Sequence, residues 1–195
     1  GTPLSPADFV MGMIMPWDAA LEASEIYDAS QVPNYESAMT AFKGWRITST
    51  DPMVVEWYSD NYALDASLNF NCGWPDYGYG DGAWHMMAVG YLADAAGETA
   101  FSADKAEELE VEWMNYISGP AMGVLSFYLD DAFTDSFIPY APTLGEYVTA
   151  EEAAQAYYNY KTWFRNHGHF WIGTGPYFLD QVFPVEKTLT LQHNP

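Results

Sequence analysis

The stretch from Asn69 to Gly82, NFNCGWPDYGYGDG, sets Trp74, Tyr77 and Tyr79 among four glycines and a proline, with Trp84 just beyond it. That density of glycine and proline excludes a long helix or a central strand. Three rings in one irregular segment also argue against a bare linker. Tyr and Trp join a large apolar face to a polar tip, which suits a partly wet binding cleft, and loops on a rigid scaffold commonly carry function. Trp74, Tyr77, Tyr79 and Trp84 are therefore the candidate ligand-contacting residues. The alternative is a surface loop whose rings pack on one another. His167 and His169, with His85 or an aspartate as a third group, offer metal-ligating atoms, but the spacing matches no zinc pattern. Across a helix end, an i, i+2 spacing turns the two rings apart. Asp130, Asp131 and Asp135, and Asp76 with Asp81, do not follow a calcium-binding loop. A working acid–base pair needs a separation in space that spacing along the chain does not supply. Nucleophile elbow, phosphate loop and dinucleotide fingerprint are all missing. The expectation is a protein with no catalytic residues, no metal and no cofactor.

The charge balance narrows the class of partner. Twenty-seven acidic residues against six Lys and Arg give a net charge of −21. Such a field repels phosphate backbones and anionic membranes, so nucleic acid is excluded as a partner. Attraction of cationic substrates is the converse reading, and a heavily solvated acidic surface the plainer one. With 49% hydrophobic residues in 195, the chain can bury one good core. No apolar run approaches the roughly 20 residues that span a bilayer. The single Cys72 cannot form an internal disulfide and is expected as a buried thiol. Of the 34 aromatic residues (eight Trp, 15 Tyr and 11 Phe), most must be core.

Helix and strand signals alternate along the chain. Ser5-Pro6-Ala7-Asp8 opens a helix with an N-cap serine, proline at the first position and an acid in the first turn. Pro16 is expected to end or kink that helix, which resumes over Trp17–Tyr27. A loop over Gln31–Tyr35 and a short helix over Ser37–Phe42 follow. Trp45–Thr50 and Val54–Tyr58, rich in β-branched and aromatic residues, predict a hairpin turning at Asp51-Pro52. Helices are expected over Trp84–Ala96, closed by Gly97, over Ala103–Ser118 after the Ser102 cap, and over Ala121–Phe133. Ile138–Leu144, with two prolines, reads as loop. Thr149 and Glu152 form a capping box for a helix that runs to His167 and stops at Gly168. Phe170–Ile172 then reads as a short strand entering the turn Gly173-Thr174-Gly175-Pro176-Tyr177. Two final strands follow, with Thr188–Leu191 alternating as though one face were buried. The order implies an α+β domain: a mostly helical middle packed on one small sheet built from the early and the C-terminal hairpins.

The Gly173, Gly175, Pro176 and Tyr177 turn, followed by a hairpin ending in His193-Asn194-Pro195, resembles the extracytoplasmic solute-binding proteins of ABC transporters, family 5, the oligopeptide-binding type. There a G-[TN]-G-[PA]-Y turn opens a hairpin that ends in an Arg-Asn-Pro-like triplet, so histidine here replaces the usual base. Gly1-Thr-Pro-Leu-Ser-Pro-Ala-Asp8-Phe-Val10 is similar to that family's D-G-x-P-[VL]-[TS]-A-x-D-[VF]-V segment, and Trp45–Tyr58 to its hairpin. The resemblance implies part of one lobe of a clam-shaped receptor that captures a peptide, or an oligosaccharide, outside the membrane. Its partners would be the second lobe of the same protein and the permease subunits of the transporter. Lacking an initiator Met and an apolar signal segment, the chain reads as an excised segment of such a receptor. The alternative class is an aromatic-rich fragment of a carbohydrate-active enzyme.

Overall fold

Trp84–Ala95 (α3) is apolar on nearly every side, and a helix of that kind has to be surrounded. In the computed structural model, which describes residues 3–70, 82–173 and 175–194, it is the central element. Trp84, Met86, Met87, Ala88, Val89 and Ala93 are all buried. Around it pack Pro6–Asp18 (α1), Ala121–Asp135 (α5) and Ala150–His167 (α7). Leu125 and Leu129 of α5, Tyr157 and Tyr160 of α7, and Val10 and Met11 of α1 complete one hydrophobic core. The two buried phenols keep their polar ends satisfied, Tyr157 donating to the Phe137 carbonyl (2.8 Å) and Tyr160 to that of Phe170 (2.8 Å). At Gly90 a side chain has no room, because a Cβ would lie 2.0 Å from the Tyr116 hydroxyl oxygen. The glycine is what lets the segment after α3 lie so close on it.

The fold is α+β. Its strands, however, form three separate two-stranded ladders among the described residues. Phe42–Thr50 (β1) pairs antiparallel with Met53–Ser59 (β2), Thr99–Ala100 (β3) pairs parallel with Glu112–Trp113 (β4), and Tyr177–Phe183 (β5) pairs antiparallel with Thr188–His193 (β6). The single sheet expected from joining the first and last hairpins is not formed: no strand of one hairpin pairs with a strand of the other among the described residues. The alternation in β6 also misled. All six of its residues are exposed, so neither of its faces is covered.

Other departures have local causes. α1 continues through Pro16 to Asp18, since a proline in the last turn forfeits little of the ladder, and irregular turns rather than a second helix follow. The helix preceding β1 is Val32–Met39 (α2), started by Pro33 in its first turn. Ala103–Leu109 (α4) stops well short of Ser118. Glu110 takes a left-handed conformation (φ 56°) and the Val111 N–H returns to the Ala106 carbonyl at 3.0 Å. Glu107, Glu108, Glu110 and Glu112 would otherwise crowd the negative end of the helix dipole. Trp113 is thereby delivered to β4, 61% exposed, donating from Nε1 to the Phe101 carbonyl (2.9 Å). Ala141–Leu144 (α6) is a single turn inside the expected loop. Phe170–Ile172 forms no strand. Its backbone instead docks on the core through Phe170 N–H to the Tyr116 carbonyl (2.7 Å).

Candidate ligand-binding surface

Of the four residues singled out for ligand contact, Trp74, Tyr77 and Tyr79 lie outside the described residues. Trp84 is described, and it is a core residue: it is 3% exposed and meets Tyr157 edge to face with ring centroids 5.7 Å apart. Its position is fixed from the other end of the chain. Asp8 accepts from the Ser5 backbone N–H through Oδ2 (2.7 Å) and from the Trp84 N–H through Oδ1 (2.8 Å). One carboxylate thus satisfies orphan donors at the starts of both α1 and α3. Burial pushes the Asp8 carboxyl above its ordinary value, and the Trp84 and Ser5 N–H bonds hold it back. Ring chemistry pointed Trp84 toward a ligand, but this anchor turns it inward.

Gly175 and Pro176 stand where the sequence puts them, between α7 and β5. Tyr177 pairs with His193 at the open end of the hairpin. Asn194 then closes the structure on itself: its backbone N–H reaches the Pro176 carbonyl (2.9 Å) and its Nδ2 the Gly175 carbonyl (3.0 Å). Gly175 and Pro176 make a turn whose two carbonyls point at the strand end, and the asparagine supplies two donors to match them. The motif and the terminal asparagine are therefore one unit, although 19 positions separate Gly175 from Asn194. Asn194→Ala should cost the ladder about 1 kcal/mol of local opening free energy. Hydrogen exchange would then speed up in β5 and β6 and stay unchanged in α3. Equal protection in both proteins would rule the clasp out.

Both histidines near the end of α7 hold this hairpin to it. His167 Nδ1 lies 3.1 Å from the Asp180 carbonyl oxygen and 3.2 Å from its Oδ1. His169, fully buried, accepts the Trp171 N–H at Nδ1 (3.1 Å), which leaves Nε2–H to donate to the Leu179 carbonyl (3.0 Å). Desolvation lowers its pKa, consistent with a neutral ring that needs one acceptor nitrogen. With both nitrogens of His169 engaged and the ring centroids 6.0 Å apart, the pair fastens the hairpin to the end of α7. Among the described residues no group of three or more His, Cys, Asp or Glu side chains could hold a metal ion. No helix there is long and apolar enough to cross a membrane.

One open concavity was not anticipated. It lies between α1, α2 and β1, holds about 420 Å³, and is lined by Met13, Trp17, Asp18, Leu21, Tyr35 and Trp45 among others. Its residues come from three elements and share no local motif, so periodicity gives no sign of it. A smaller hollow of about 230 Å³ sits beside Trp113, Tyr116 and Trp171. No family model matches the chain, and neither does any curated protein.

Proposed function

We propose that this chain is part of one lobe of an extracytoplasmic solute receptor that delivers peptides to an ABC importer. The observation that carries the reading is the clasp between the Gly175-Pro176 turn and Asn194. It gives a physical reason for the two halves of the motif by which the chain resembles such receptors. Asp8 does the same for the N-terminal segment, whose acid ties two helix starts together. The outer surface of the C-terminal hairpin adds support, with Val185 89%, Leu189 58% and Leu191 54% exposed. Apolar residues of the turn and of β6 left bare in this way suit a hairpin that another part of a larger protein covers. On this reading Trp74, Tyr77 and Tyr79 are the candidate contacts for the captured solute, on their residue types alone.

Calorimetric titration of a two-lobed receptor containing this segment with short peptides, and separately with oligosaccharides, tests the reading. Saturable peptide binding that weakens at least roughly tenfold in Trp74→Ala and Tyr79→Ala is the expected result, the loss of a stacked ring in a dry pocket being of that order. Binding of oligosaccharides alone would shift the ligand class within the same reading. Binding of neither, or turnover of a glycoside, would defeat it.

A further inference from the structure

The groove between α1, α2 and β1 has a chemical character of its own. Its volume, about 420 Å³, falls in the range of small-molecule sites, about 300–1,000 Å³, whereas the hollow beside Trp113 falls below it. Three half-buried rings, Trp17, Tyr35 and Trp45, line it together with Met13 and Leu21. Trp17 is braced from behind by Phe42, edge to face at 4.4 Å. The single charged side chain of the wall is Asp18. Its Oδ2 is held by two hydroxyls, Tyr140 at 2.7 Å and Ser24 at 2.9 Å, while Oδ1 accepts no hydrogen bond among the described residues. The carboxylate is thus held in orientation through one oxygen while its side chain lines the groove. Glu22 and Glu25 stand in the turns directly after it, exposed.

A preoriented carboxylate beside aromatic faces attracts an organic cation twice over. The ring quadrupoles favour positive charge over their faces, and the acid supplies the counter-charge. Among the described residues nothing cationic fills that role: the lining contains no Lys, Arg or His. Lys43 and Arg46 of β1 are engaged elsewhere, with Asp60 at 3.0 Å and Glu56 at 2.8 Å. A net charge of −21 draws cations toward the surface as a whole. We infer that this groove binds a small organic cation with an apolar body, of the alkylammonium class, with the rings taking the methylated head and Asp18 the charge. The inference is independent of the receptor reading, since it uses neither the C-terminal motif nor the aromatic loop.

Isothermal titration of the 195-residue chain with choline, and with its neutral isostere 3,3-dimethylbutan-1-ol, is the direct test. Choline is expected to bind saturably with a Kd below about 1 mM, and the neutral isostere at least roughly tenfold more weakly. Asp18→Asn keeps acceptors for Tyr140 and Ser24 but removes the charge, and should weaken choline by a similar factor while leaving the alcohol unaffected. Absence of choline binding, equal affinity for the two compounds, or an Asp18→Asn protein that binds choline as the parent does would each overturn the inference. The comparison of the two compounds uses the unmodified chain, so it decides the matter even if the variant fails to fold.

Discussion

Lys105→Met should lower the free energy of unfolding by about 3–5 kcal/mol, the cost of stranding a buried charge. Lys105 Nζ is paired with Asp94 Oδ1 in a nearly closed environment, with 11% and 1% of the two side chains exposed. Asp94 Oδ2 meanwhile accepts the Phe101 N–H at 2.9 Å, so the carboxylate ties α3, the β3 turn and α4 together. Desolvation is the largest influence on Asp94 and raises its pKa, while Lys105 and the Phe101 N–H oppose it. Removing the lysine strengthens the rise. A carboxyl whose folded pKa lies above its unfolded value makes the native state bind more protons than the unfolded one. Its stabilisation is complete below the unfolded pKa and is lost as pH climbs through the folded pKa. The deficit of Lys105→Met relative to the parent should therefore shrink as pH is lowered from neutral. Asp94→Asn combined with Lys105→Met should recover more than half of the loss, since the amide keeps an acceptor for Phe101 without a charge. Urea unfolding at several pH values checks all three. A single-variant loss below about 1 kcal/mol, the range of exposed pairs, would show that water reaches the bridge.

The second large effect is a pH dependence centred on His85. The ring is 4% exposed, wedged edge-on between Trp84 (centroids 5.5 Å apart) and Tyr160 (5.5 Å), and its Nδ1 has no hydrogen-bond partner among the described residues. Burial lowers its pKa from 6.5 to about 4. Between those two values the unfolded chain carries a proton there and the native protein does not. The stabilisation is therefore present above pH 6.5 and drains away as pH falls toward about 4. At 1.36 kcal/mol per pH unit the interval amounts to about 3 kcal/mol. His85→Leu should flatten the acid limb of the stability curve by that amount. Asp8 and Asp94 bend the curve the other way in both proteins, since burial raises each of them, so the difference between the two curves isolates the histidine. Parallel curves would mean that His85 is already hydrated in the native state.

Where end signals were chemical and local, they could be read without coordinates. Thr149 and Glu152 form the reciprocal cap expected of them, and Gly168 ends α7 with φ 75°. Gly97, likewise left-handed (φ 69°), follows α3 where the pattern stops. The helix expected over Ala103–Ser118 ends at Leu109, although Leu109, Trp113 and Tyr116 fall close to helical spacing. The opposing fact was electrostatic, four glutamates gathered at one helix end, and periodicity is blind to it. The C-terminal turn was legible as a turn. Its partner Asn194 was not, since donors and acceptors that meet across a hairpin leave no trace in spacing. Trp84 shows the same limit in the site. Its inward orientation depends on Asp8, 76 positions earlier, and a tryptophan beside a glycine-rich loop looks alike whether it faces solvent or core. The groove beside Trp17 was illegible for a third reason, being an absence of atoms shared by three elements.

Dividing the strands into three small ladders has a consequence for chain entropy. β1 and β2 are joined through Asp51-Pro52, and β5 and β6 through Pro184–Lys187, so each finds its mate after closing only a short loop. Short closures cost little chain entropy. The contacts most distant along the chain are then those of the helical centre, where α1 and α3 meet α5 and α7.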